Sequence, residues 1–147
     1  MTDYVISTES ITLDCALELA HQALTQARQQ GRNVAIVVLD SAANPLASIR
    51  MDGAPIPCRS IAERKANTAL AFSASTKLWD ERFSDLSPGV RMGLPLQEKL
   101  AFFGGGEPII HKGERLGSIG ISGASEAEDC AIAESAVKHF QALTAKL

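Results

Sequence analysis

The sequence predicts an α+β fold in which helices cover one antiparallel sheet. Two pairs of short apolar runs are each joined by a tight turn, and tight hairpins force antiparallel pairing. Longer segments between and around them repeat apolar residues at helical spacing. The order is helix, hairpin, helix, irregular segment, hairpin, helix, so the helices must lie on one or both faces of a single sheet. At 147 residues the chain is expected to be one domain, 1–147, with a core large enough to stand alone.

Thr12 is a suitable N-cap for the first helix, with Asp14 in the turn that favours an acid. Leu13, Ala16, Leu17, Ala20, Leu24 and Ala27 recur at helical spacing, and Gly31 stops the helix after Gln30. Val34 to Leu39 is an unbroken apolar run of strand length, which predicts a buried strand. Asp40 to Pro45 is a turn, Leu46 to Met51 a returning strand, and Gly53 to Pro57 a break. Ser60 to Ser75 predicts an alanine-rich helix. Thr76 to Val90 reads as a short helix and loop, and Arg91 to Leu100 as irregular with a helical turn at Pro95. Strands over 107–112 and 114–121 follow, joined at Lys112-Gly113. Ser125 and Glu128 form a capping box that launches a last helix with Ala133, Ala136, Val137, Phe140 and Leu143 on one face.

A net charge of −3 argues against a nucleic-acid partner or an anionic membrane surface. No apolar run approaches the roughly 18 residues of a membrane span. Met1 to Ser10 has neither the basic nor the apolar region of a secretory leader. Cys15, Cys58 and Cys130 are odd in number and widely spaced, which speaks against a disulfide framework. Together these point to a cytoplasmic protein.

Four groups of residues could carry chemistry. Lys65 shares a helix face with Ile61, Ala69 and Phe72, and Thr68 lies a turn away. A lysine on an apolar stripe either snorkels to water or occupies a pocket, as anion anchor or general base. Arg50 and Asp52 project to one face near the end of their strand, either as a solvated ion pair or as a pocket rim. His21 flanks the apolar stripe of the first helix, His111 shares a strand face with Ile109, and His139 lies near the C-terminus. None belongs to a metal-binding array, so no protein-built metal site is expected. One histidine or cysteine does suffice as an axial haem ligand.

The fourth group is the glycine corner. Seven of the 11 glycines fall between Gly104 and Gly123. Gly104-Gly105-Gly106 is either a ligand floor or a tight packing corner. It fits neither a Walker loop nor G-x-G-x-x-G, which excludes those nucleotide folds. The helix start at Gly123-Ala124-Ser125 would attract anions, yet Glu126, Glu128 and Asp129 already occupy that field. Asp129 can also point back into a cleft. No Ser-His-Asp or Cys-His set is legible. Cys58, which follows Pro57 in a loop beside the Lys65 helix, is either a reactive thiol or, in keeping with most lone cysteines, a quiet one.

Taken together, several stretches resemble the GlcG/HbpS-like family. This is the DUF336 haem-degrading domain, found also at the C-terminus of some PduO-type corrinoid adenosyltransferases. They are Val34 to Asp40 with Asn44, Leu46 and Arg50-Met51-Asp52-Gly53-Ala54; Ile61-Ala62 with Lys65 to Ala69; Gly105 to Ile109; Gly117 to Gly123; and Asp129 with Ala133. Asn44 stands where the family usually has a glycine, and asparagine tolerates a left-handed backbone.

The resemblance implies a profilin-like fold, a five-stranded antiparallel sheet with helices on both faces, assembled as dimers or larger even homo-oligomers. It also implies a small ligand, with haem or another tetrapyrrole first and a corrinoid second. In that reading Arg50 and Lys65 meet the propionates, Thr68, Gly105, Gly106 and Pro108 line the ligand, and His21 or His111 binds iron. One alternative is an enzyme on a small organic acid, with Lys65 as base or anchor and Asp52 or Asp129 as its acid–base partner. The other is an accessory partner of a cobalamin-dependent enzyme.

Overall fold

The computed structural model describes residues 4–146, so the first three residues read for a leader lie outside it. The elements run α1 (Leu13–Gln29), β1 (Ala35–Asp40), β2 (Pro45–Arg50), α2 (Cys58–Phe72), two short helices α3 (Trp79–Ser84) and α4 (Pro88–Gly93), β3 (Gly106–His111), β4 (Glu114–Ser122) and α5 (Glu126–Thr144). The sheet has four strands in the order β2-β1-β4-β3, and every neighbouring pair is antiparallel. The fifth strand implied by the family resemblance does not form among the described residues. The stretch between α2 and β3 folds instead into α3, α4 and two 3₁₀ turns. Among the described residues, the segment before α1 meets the sheet through one backbone bond, Ile11 N to Leu116 O. Leu116 is the extra residue of a bulge opposite Ile109 and Ile110, which frees its carbonyl for that bond.

β1 is central, and its unbroken apolar run serves two cores. Val34, Ile36 and Val38 face α1 and α5, together with Ile109, Ile119 and Ile121. Ala35, Val37 and Leu39 face α2, against Cys58, Ala62, Ala66 and Leu70. On β4 the α2 side carries Ser118, Gly120 and Ser122, all small. A Cβ on Gly120 would run into the Ala62 carbonyl oxygen, so α2 rests directly on strand backbone. Ser118 Oγ donates to Ala66 O at 2.7 Å, and Arg115 Nη1 donates to Leu70 O at 2.6 Å at the C-terminal end of α2. A cation is favoured there by the helix dipole.

Three local expectations need correction. The left-handed residue of the β1–β2 turn is Ala43, φ 67°, not Asn44. Asp40 holds that turn by accepting the amides of Ala42 and Asn44, each at 2.9 Å. α2 begins at Cys58 and ends at Phe72, where Ser73 turns left-handed at φ 50° and stops it short of Ser75. The buried face of α1 is Ala16, Leu19, Ala20, Ala23 and Ala27, whereas Leu13 and Leu17 stand 52% and 51% exposed. An alanine face lets the helix approach the sheet closely, so the leucines of the stripe are turned outward. The second hairpin follows the sequence, and so does the last helix, except that Leu143 of its apolar face stands 46% exposed. Lys112 and Gly113 both have positive φ, as a type I′ turn requires. The Ser125–Glu128 capping box forms at the start of α5.

Candidate functional site

Lys65 is the largest fully buried side chain, 1% exposed. It neither snorkels nor faces an open pocket. Its Nζ donates to Ile121 O at 2.8 Å and to Asp129 Oδ2 at 3.0 Å. The third side is covered by Phe103, whose ring centroid lies 4.9 Å away. Asp129 Oδ1 accepts the Ala124 amide at 3.0 Å. α2 lies on one face of the sheet and α5 on the other, so this pair pins the two helix layers together past the start of β3. Burial pushes the Asp129 carboxyl above its ordinary range, only partly offset by the Lys65 ammonium and the amides of Ala124 and Gly123.

The glycine corner closes around this pair. Gly105, at φ 124°, would set a Cβ 2.6 Å from Ile121 O and 2.8 Å from Lys65 Nζ. Gly106 is pressed against the Lys65 carbonyl in the same way. Its amide donates to Thr76 Oγ1 at 2.9 Å. Of the two readings of the corner, the geometry is that of close packing. Thr68 also works within the fold: its hydroxyl donates to Arg64 O at 2.7 Å and accepts the Ala101 amide at 2.9 Å. Pro108 lies in edge strand β3, paired with Ser118, where a missing N–H is tolerated.

Arg50 and Asp52 do not join Lys65. Arg50 Nη1 donates to Ala54 O at 2.8 Å and so holds the turn after β2. Asp52 is exposed, and neither residue belongs to an ion pair among the described residues. Lys65 and Asp129 are the only two of the proposed acid–base residues that meet, and they do so out of reach of solvent. No group of three or more His, Cys, Asp or Glu among the described residues could hold a metal ion. No described helix is long and apolar enough to cross a membrane.

Glu107 is a partner of this region that the sequence did not announce. It accepts the Ser75 hydroxyl and is largely buried, and burial raises its carboxyl above the usual range. Between the ordinary and the raised pKa the folded chain holds a proton that the unfolded chain has released. That contribution to stability is full at acid pH and is lost as pH rises through the folded pKa. Glu107→Gln is expected to remove part of that decline. Urea melts between about pH 4 and about pH 8 measure it, and an unchanged slope would show the carboxylate to be effectively solvated.

The histidines part company. His111 is half-buried and sits edge-on to Phe140, with centroids 6.2 Å apart. His139 faces Glu18 of α1 at 3.3 Å. His21 is exposed and free of side-chain hydrogen bonds among the described residues. It lies in an open groove of 640 Å³ between α1 and β2, walled by Leu17, Leu24 and Ile49, with Cys15 and Glu18 toward the start of the helix. Arg28 continues the line Leu17, His21, Leu24 at helical spacing, about 10 Å beyond His21 along the axis. Sequence reasoning passed over Arg28, although its place seven residues after His21 was there to be read. The Cys15 thiol is pushed up by burial and by Glu18, which favours its protonated form.

Comparison with known proteins agrees with this architecture. The family model for haem-degrading, HbpS-like proteins matches residues 11–138. The chain belongs to the HbpS-like family. A 15.0 kDa protein of the dhaT–dhaS intergenic region of Citrobacter freundii is 33% identical over 137 residues, covering 91% of this chain and 94% of that protein. Among solved HbpS-like structures, the ORFY protein of Klebsiella pneumoniae superposes with a TM-score of 0.88 at 30% identity, over 97% of this chain and 98% of that one. A PduOC:haem complex superposes with a TM-score of 0.77 at 30% identity, over 88% of this chain and 94% of its own.

Proposed function

We propose that this HbpS-like chain binds haem or a related tetrapyrrole on the α1 groove, with His21 as the axial donor. The observation that carries the reading is the outward turn of α1. Leu17, which helical spacing would assign to the core, is half exposed beside the His21 imidazole, which makes no side-chain hydrogen bond among the described residues. An apolar macrocycle would cover Leu17 and Leu24. Asp14 and Glu18 at the near end would disfavour a further anion there, so Arg28 would be the residue to hold a propionate. His111 is the weaker donor because it is half-buried against the Phe140 ring. Arg50 and Lys65 do not line this groove, so the propionate role passes to Arg28. Haem bound there would supply a redox-active iron; the chain supplies an imidazole, apolar walls and one guanidinium. The haem complex of the related PduOC supports the choice of ligand.

Hemin titration followed by absorbance tests it. A saturable Soret shift is expected, weakened at least about tenfold in His21→Ala and little changed in His111→Ala. No Soret shift, or one indifferent to His21, would sink the assignment. Cobalamin added as competitor tests the corrinoid alternative. Light scattering on the same samples reports whether the chain forms the even homo-oligomer that the resemblance implies.

A further inference from the structure

We propose a second small-molecule site, in the cavity between α2 and the segment running from α3 to the glycine corner, and that it takes a small aromatic or branched-chain monocarboxylate. The cavity has a volume of 280 Å³. That equals about nine water volumes, room for roughly ten heavy atoms and far too little for a macrocycle. Phe83, Pro95, Leu100, Phe102 and Phe103 form its walls. Arg64 is the only titratable residue on the lining.

Arg64 is exposed and belongs to no ion pair among the described residues. In the adjoining cleft, which Arg64 also lines, Glu63 is held by Arg59 at 3.3 Å, while Glu98 belongs to no ion pair among the described residues. A guanidinium at the mouth of an apolar cavity matches a ligand with one carboxylate and a hydrocarbon body. The planar fork takes both carboxylate oxygens, and the walls take the rest. A phosphate would bring more charge than one arginine offsets and would leave the walls wet. The walls are firmly backed. Phe102 stacks edge-on against Trp79 at 4.8 Å and against Phe83 at 5.3 Å, and Ala101 is tied to Thr68. Arg91 ties the end of α3 by donating to Phe83 O at 2.9 Å. The cavity is therefore largely pre-formed, and filling it requires little reordering. This site is independent of the His21 groove.

Trp79 is the chain's single tryptophan and lies directly behind the Phe83–Phe102 wall, so its fluorescence reports occupancy. Benzoate and isovalerate are the probes. A saturable fluorescence change is expected, with a dissociation constant of roughly a millimolar or tighter. Benzamide, which keeps the shape and lacks the charge, should bind at least about tenfold more weakly, and so should benzoate to Arg64→Gln. Ile61→Phe grows a side chain into the cavity and should abolish binding while leaving Arg64 in place. Arg64 is on the surface, so Arg64→Gln retains the fold, as circular dichroism should show, and its hemin titration should match that of the unmodified chain. Absence of a saturable response to both acids, by fluorescence and by ligand-observed NMR, would overturn the proposal. So would equal benzoate affinity in Arg64→Gln, or benzamide binding as well as benzoate.

Discussion

Asp129→Ala is expected to destabilise the fold by about 3–5 kcal/mol, the usual consequence of leaving one charge of a buried pair alone. Lys65 Nζ would keep only Ile121 O and the Phe103 ring, and water cannot replace the carboxylate because Lys65 is 1% exposed. Two backbone amides lose their acceptor as well, those of Ala124 and Gly123, at the entrance of α5. Lys65→Met should cost less. Its side chain has nearly the same shape, and Asp129 keeps those two amides. Without the ammonium the Asp129 carboxyl rises further above its ordinary range. A raised carboxyl is stabilising below its unfolded pKa, and that stability is lost as pH rises through the folded one. Lys65→Met should therefore recover toward acid pH, whereas Asp129→Ala should not. The double variant Lys65→Met/Asp129→Leu removes both charges but orphans the amides, at about 1–3 kcal/mol. It should fall between the parent and Asp129→Ala. Urea denaturation of the four proteins at two pH values decides the matter. Equal, small losses in both single variants would mean that the pair is hydrated and pins nothing.

The same pair shows how far the sequence could be read. Lys65 on an apolar stripe was visible as an anomaly, and Asp129 was visible as an acid able to turn back from its helix start. Their meeting was not, because it depends on two helices from opposite faces of the sheet passing the end of β3. The hairpins, the capping box and the burial of β1 were legible, since each rests on local spacing or on a run of one character. α1 was misread for a physical reason. Spacing marks a stripe but not which side of it turns inward, and here the small side won because alanines allow closer packing. That misreading bears on function, for the outward turn leaves Leu17 beside His21 on the surface. The aromatic group of Phe72, Trp79, Phe83 and Phe102 was also hidden. It is assembled from residues up to 30 apart, across a stretch with no periodicity of its own.

Gly105→Ala is expected to cost about 3–5 kcal/mol, from a left-handed backbone that alanine resists and from overpacking at one spot. The new methyl would lie 2.6 Å from Ile121 O, 2.8 Å from Lys65 Nζ and 3.1 Å from Asp129 Cβ. Ile121 O cannot yield, because the Ile121 residue is fixed in the sheet by its pairing with Ile36, and its amide donates to Gly105 O at 2.8 Å. Lys65 can yield only by leaving Asp129. The loss should therefore couple to the pair. In an Asp129→Ala background, where Lys65 is already unpaired, the added cost of Gly105→Ala should shrink by about 1 kcal/mol or more. Gly89→Ala is the control. Nothing lies within 4 Å of a Cβ there and the residue is helical, so the change should stabilise slightly, by up to about 1 kcal/mol. Thermal and urea melts of the single variants and the double-mutant cycle measure all of this. Gly105→Ala and Gly89→Ala of equal stability would show that the corner is open, and would reopen its reading as a ligand floor. Additive losses for Gly105→Ala and Asp129→Ala would instead place the strain in the backbone alone. The glycine would then serve its own turn rather than the lysine behind it.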